Sequence, residues 1–186
     1  MVFTKAYELA QRIVAPFLEE GSLAVDATAG NGKDTLFLAQ RVGSSGHVYA
    51  FDVQPQALEK TEALLAQAGL RQRVTLFEAG HEHLAAYIHR QIKVVMFNLG
   101  YLPGGDHAII TRPETTRAAL ESALELLEKG GIISVVAYTG HPGSLKEKEV
   151  LEELCRALDQ RAFTVTHHAF INQAGCPPEL FTIQKH

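Results

Sequence analysis

The sequence predicts a doubly wound α/β domain with a mostly parallel, seven-stranded sheet that closes on an antiparallel C-terminal hairpin. Three observations carry that expectation. Apolar runs of strand length alternate with segments of helical periodicity from residue 22 to residue 158. Residues 26–35, Asp-Ala-Thr-Ala-Gly-Asn-Gly-Lys-Asp-Thr, put a carboxylate and two glycines between the first strand and its helix. The last two strand-like runs have no helix between them, which suits an antiparallel pair at one sheet edge.

Ala6, Leu9, Ala10, Ile13, Val14 and Phe17 share one helical face, so residues 4–19 form an amphipathic helix that packs on the core. Gly21 breaks the chain before a first strand at 22–26. A helix opening at Asp34 or Thr35 runs to about Arg41, and Gly43-Ser44-Ser45-Gly46 is loop chemistry. The second strand, 47–52, ends in Asp52; Pro55 suits the first turn of a helix that stops at Gly69. Strand three covers 74–77, a short helix 84–90, and Val94 to Asn98 reads as a strand buried on both faces. A glycine-rich loop from Asn98 to Asp106 follows. Pro113 and Glu114 open a helix reaching Glu128 or Lys129, ended by Gly130-Gly131. Ile132 to Tyr138 is the fifth strand, Leu145 to Leu158 the next helix, and 163–170 with 180–184 the closing hairpin.

Composition bounds the function. The 186 residues, 46% hydrophobic and 20% charged, fit one domain spanning 1–186. No apolar run approaches the ~20 residues of a membrane span, and no secretory leader pattern opens the chain, so a cytoplasmic location is expected. Cys155 and Cys176 lack metal-ligand spacing or disulfide density and read as free thiols. A formal charge of −4 excludes a chain-wide basic footprint, so any RNA contact must be a local patch. Candidates are Arg71 with Arg73, His89-Arg90 with Lys93, Arg112 with Arg117, and Lys146 with Lys148, each of which, taken singly, reads first as a solvated face of an ordinary helix or loop.

Three ligands compete for the glycine turn. A dinucleotide fingerprint needs three glycines; Gly30 and Gly32 supply two, Thr35 occupies the third place, and Asp52 lies 22 residues past Gly30. A phosphate-cradling loop needs Gly-Lys-Ser/Thr, and Asp34 stands where its hydroxyl belongs. S-adenosylmethionine remains. Asp26 could attract its ammonium directly or through water, the glycines clear space for it, and Asp52 can accept from two ribose hydroxyls. Both carboxylates could alternatively be turn acids.

The blocks DATAGNGKDT, FDVQPQAL, GHEHL, NLGYLPGGDH, YTGHPGS and INQAGCPPEL occur in that order along nearly the whole chain. Together they resemble the bacterial tRNA 5-aminomethyl-2-thiouridine methyltransferases, a family formerly called putative rRNA methylases. The resemblance implies the Rossmann-like class I methyltransferase fold, S-adenosyl-L-methionine as donor, a homodimer, and the anticodon stem-loop of tRNA as partner. It makes the acceptor the primary amine of a 5-aminomethyl group on the wobble uridine. The expected cofactor-binding set is Asp26, Thr28, Gly30, Asn31, Gly32, Asp34, Thr35, Asp52, Gln54, His81 and Asn98.

Methyl transfer to such an amine needs an aligned, unprotonated nitrogen. Asn98, the Leu99 carbonyl and Tyr101 match the (Asp/Asn)-Pro-Pro-Tyr loop of amino-group methyltransferases, with Leu99-Gly100 replacing the two prolines. An amine with a lysine-like pKa of about 10.4 would cost roughly 4 to 5 kcal/mol to present neutral at pH 7. Asp106 is the first candidate acceptor of its proton and His141 the second. Asp106 could equally be a helix cap or turn acid, and His141 a backbone-bonded loop histidine. Nine histidines, including His81-Glu82-His83 and His167-His168, lack the helical spacing of a metal site, so no metal is expected. The Gly80-His81-Glu82 turn fits the adenine pocket instead. Asn172 and Gln173 could bond a base edge or close the hairpin. Competing functions are methylation of another RNA site or of a small amine, and a catalytically silent S-adenosylmethionine- or tRNA-binding protein.

Overall fold

A computed structural model describes residues 5–100, 102, 104, 110–140 and 143–186. Seven strands form one sheet in the order β3-β2-β1-β4-β5-β7-β6. They are β1 (Leu23–Asp26), β2 (His47–Asp52), β3 (Val74–Glu78), β4 (Ile92–Leu99), β5 (Leu127–Ala137), β6 (Phe163–His168) and β7 (Glu179–Lys185). The first five pair in parallel, and β7 lies antiparallel between β5 and β6, as the missing helix of the hairpin requires. The chain moves outward from β1 to β3 and returns to the other side of β1 as β4. The switch point therefore lies between β1 and β4, where such sheets bind ligands beyond their carboxyl ends.

Helices cover both faces. They are α1 (Ala6–Val14), α2 (Lys33–Arg41), α3 (Pro55–Gln67), α4 (Leu84–Tyr87), α5 (Pro113–Leu126) and α6 (Ser144–Ala157). Side chains on a strand alternate between faces, and here both faces are dry. Ala24, Val94 and Met96 join Ala10, Leu38 and Leu65 of α1, α2 and α3 in one core. Val25, Val95 and Phe97 join Leu120 and Leu151 of α5 and α6 in the other. Each fully buried side chain of Val95 or Phe97 size contributes about 1.5–3 kcal/mol. The central strands are thus a rigid platform for whatever their ends carry. α1 packs across β4, β5 and β7, which brings the start of the chain to the middle of the sheet. Among the described residues no helix is long and apolar enough to cross a membrane.

Two element ends differ from expectation. α5 stops at Leu126, before the glycines, and β5 begins at Leu127, which is fully buried and pairs with Ile92. The register shifts between Ile92 and Val94, and Gly130 turns through φ 73°. A Cβ on Gly131 would come within 2.9 Å of the Glu128 and Lys93 carbonyls, so this pair shapes a bulge inside the strand instead of capping the helix. The first helix gives way to a 3-10 turn at Ala15–Phe17, where Pro16 lacks the N–H that would continue it.

Candidate functional site

The glycine turn is held from beneath by its acid. Asp26 ends β1 fully buried; one carboxylate oxygen accepts the Thr28 N–H at 3.1 Å and the other the Thr35 hydroxyl at 2.6 Å. Gly30 and Gly32 take φ of 53° and 78°, and a Cβ on Gly32 would meet the Thr61 hydroxyl at 2.9 Å. Both positions demand glycine by dihedral, and Gly32 by space as well. Asn31 lies half-buried between them. Asp52, at the end of β2, accepts the Gly30 N–H at 2.8 Å and the Gln54 N–H at 2.9 Å. A carboxylate has about four lone-pair sites, so these bonds leave acceptor capacity for hydroxyls. Gln54 itself is buried beside it.

A third acid stands in the first turn of α2. Asp34, 5% exposed, accepts the Gln11 amide N–H at 2.6 Å and the Asn98 amide N–H at 2.7 Å. The Asn98 backbone N–H donates to the Thr28 hydroxyl at 2.7 Å, so the end of β4 is bolted to the turn after β1. Committing the Asn98 amide nitrogen to Asp34 leaves its carbonyl oxygen as the side-chain group able to accept a further hydrogen bond. Leu102, in the loop beyond, reaches back to within 3.4 Å of where a Gly30 Cβ would lie.

Electrostatics select the ligand's charge. Burial, then the Asp34 charge, pushes Asp26 up to about 7, against the pull of its own hydrogen bonds. Burial also raises Asp34 and Asp52. Three desolvated acids at the carboxyl ends of β1 and β2 stabilise a cation and repel phosphate. That fits a sulfonium and an ammonium, and it opposes the pyrophosphate of a dinucleotide. His81, 6% exposed, bonds the Ala27 backbone and meets the Phe97 ring edge-on at 5.9 Å, leaving its Nε2 without a protein partner. Burial lowers its pKa and keeps it neutral beneath the turn.

The acceptor side is assembled from farther apart. The Leu99 carbonyl receives the Tyr138 N–H at 3.1 Å, which occupies one of its two lone pairs. Burial, followed by the charges of Asp34 and Tyr7, raises the Tyr138 pKa, so these polar groups face one another. The ends of the β4 loop are pinched by the Thr111 N–H donating to the Gly100 carbonyl at 3.0 Å. The Thr111 and Thr116 hydroxyls both donate to Glu147 of α6, which ties that loop to the helix following β5. Tyr101, Asp106 and His141 lie outside the described residues. Gln11, Tyr7 and Tyr138 are site positions that sequence reasoning does not single out. Tyr138 follows a strand's carboxyl end, a usable signal, whereas Gln11 looks like any polar residue on an amphipathic helix.

One cation of each candidate basic patch is paired with an acid. Arg71 pairs with Glu62, Lys93 with Glu128, Arg117 with Glu153, and Lys148 with Glu179. A cavity of about 360 Å³ lined by Glu19, Glu20, Arg90 and Lys93 opens at the amino ends of β1 and β4, opposite the site.

Residues 48–184 match the family described as "Putative rRNA methylase". Over 191 residues the chain is 37% identical to "tRNA (mnm(5)s(2)U34)-methyltransferase, chloroplastic" of Arabidopsis thaliana, covering 97% of this chain and 70% of that protein. A crystal structure described as a "putative rRNA-methylase" from Clostridium thermocellum superposes with a TM-score of 0.97 at 47% identity, covering 100% of both chains. A "putative methyltransferase" from Streptococcus mutans, solved in complex with SAH, superposes at 0.90 with 38% identity, again over 100% of both chains. With a family match over residues 48–184 and 37% identity to a relative over 97% of its own length, this chain belongs to the family described as putative rRNA methylases.

Proposed function

We propose that the protein N-methylates the 5-aminomethyl group of (2-thio)uridine at the tRNA wobble position, giving 5-methylaminomethyl-2-thiouridine. The chain is an S-adenosylmethionine-dependent methyltransferase, and its kinship to a tRNA methyltransferase supports tRNA as the substrate. The observation that carries the finer reading is Asn98, whose side chain is oriented by Asp34 and whose backbone is anchored on Thr28. An amide oxygen fixed beside the donor turn is suited to hold a primary amine, and aligned reactants lower the barrier without covalent help from the protein.

Bound at the turn, S-adenosylmethionine supplies an electrophilic methyl group. Asp52 and Gln54 would receive the ribose, Gly30, Asn31 and Gly32 would admit the ligand against their backbone, and Asp26, Asp34 and Thr35 would balance its charge from below. His81 would meet the adenine side. Asn98 and the free lone pair of Leu99 would hold the amine, with Tyr101 beside them, while Asp106 or His141 takes its proton.

The test is incubation of the protein with labelled S-adenosylmethionine and tRNA carrying or lacking the 5-aminomethyl group, followed by nucleoside mass spectrometry. Label confined to the aminomethylated tRNA is the expected result. Equal labelling of both, or of neither, would reject the proposed acceptor.

A further inference from the structure

A second cavity, of about 160 Å³, opens at the carboxyl end of the sheet and is lined by Lys5, Tyr7, Tyr138, Phe170, Gln173 and Pro178. These residues come from three separated places: the start of α1, the end of β5 and the connection between β6 and β7. The cavity adjoins the site described above, because Tyr138 donates its N–H to the carbonyl of Leu99, the neighbour of Asn98. We propose that this cavity is the acceptor-base subsite, in which the pyrimidine ring of the target uridine lies against Tyr138 and Phe170 and meets Gln173 with its polar edge.

The inference rests on the tRNA reading and deepens it. The volume falls below the ~300 Å³ of a drug-sized pocket, so it suits one ring and not a whole nucleotide. Bases of single-stranded loops are recognised when splayed out, stacked on aromatic side chains and hydrogen-bonded on their edges. Tyr138 and Phe170 offer the faces, and the Gln173 amide carries both a donor and an acceptor for the N–H and carbonyl of a uracil edge. Phe170 packs against the core around α1, which fixes its position, while Gln173 is exposed and open to a partner. The Lys33 and Lys5 ammonium groups lie 5.4 and 5.7 Å from the Tyr7 ring centre, so cations stand at the rim where a phosphate backbone would pass. A chain with net charge −4 thereby presents positive charge beside a cavity that a target base can enter.

The test compares kcat/KM for tRNA bearing 5-aminomethyl-2-thiouridine with the dissociation constant for S-adenosylmethionine by calorimetry. Tyr138→Leu and Phe170→Leu keep bulk and remove the aromatic face; Gln173→Ala removes the edge contact; Arg156→Ala, on the exposed end of α6, is the control. Each aromatic variant should lose about 5- to 150-fold in kcat/KM through KM, and Gln173→Ala roughly 2- to 10-fold, with cofactor affinity and the melting temperature held. Variants indistinguishable from Arg156→Ala would overturn the subsite while leaving the proposed reaction standing. Variants that lose cofactor affinity in parallel would overturn it by assigning the cavity to the donor. A wild-type protein inactive on this tRNA would overturn the proposed reaction itself, and the subsite with it.

Discussion

The two halves of the site are built by different means. On the donor side, between β1 and β2, bonds from Thr28 and Thr35 to Asp26 and from Gly30 and Gln54 to Asp52 make a turn that is complete within about thirty residues of one βαβ unit. On the proposed acceptor side, Asn98, Tyr138 and Phe170 arrive from three separate segments, and no contiguous motif connects them. Backbone geometry and buried charge suit a ligand common to many enzymes. Side chains gathered from separate loops suit the partner that distinguishes one enzyme from its relatives. The Asn98–Thr28 and Asn98–Asp34 bonds are where the halves are fastened together.

Breaking that fastening should have the largest effect. Asn98→Ala is expected to lower kcat by at least about 100-fold, since misplacement of a reacting group by ~1 Å costs that much, with S-adenosylmethionine still bound. Single-turnover kinetics alongside calorimetry would separate the two quantities. Asp52→Ala confines the damage to the donor half: loss of charge-assisted binding worth about 1.5–3 kcal/mol in total should raise the cofactor dissociation constant ~10- to 150-fold. An unchanged constant would remove its ribose role. Gly32→Ala adds a Cβ against Thr61 at φ 78° and should cost about 1–3 kcal/mol in urea unfolding.

The smallest effect is a pH dependence. Asp26 is raised to about 7 in the folded chain, against about 3.9 unfolded. Such a group contributes its full stabilisation below pH 4 and loses it as pH climbs through 7. The ligand-free protein should therefore lose stability across that window. A cationic ligand favours the ionised acid, so cofactor affinity should rise by at most tenfold per pH unit over the same range. Calorimetry from pH 5.5 to 8.5 measures it, and Asp26→Asn should flatten both trends.

The legibility of the sequence follows the same division. The strand ends at Asp26 and Asp52, the glycines between strand and helix, and the closing antiparallel pair are all readable because each is local chemistry. The α5–β5 junction is not, because Gly130-Gly131 serve equally as a helix stop and as a strand bulge, and only pairing of Leu127 with Ile92 decides between them. The bond from Gln11 to Asp34 is invisible for a related reason: it depends on α1 crossing the sheet, outside the βαβ unit that carries Asp34. Asn98 stands out by its loop, yet its anchoring on Thr28, 70 residues earlier, is a property of the fold.

In the proposed reaction, a donor turn shaped for a cation is fastened to an asparagine that holds a primary amine. Nucleoside mass spectrometry of tRNA carrying 5-aminomethyl-2-thiouridine, treated with wild-type protein or Asn98→Ala and labelled S-adenosylmethionine, tests it most directly. Wild type should place one labelled methyl on the aminomethyl nitrogen, and the variant should do so at least about a hundredfold more slowly. Label elsewhere in the tRNA, or equal rates from the two proteins, would contradict it.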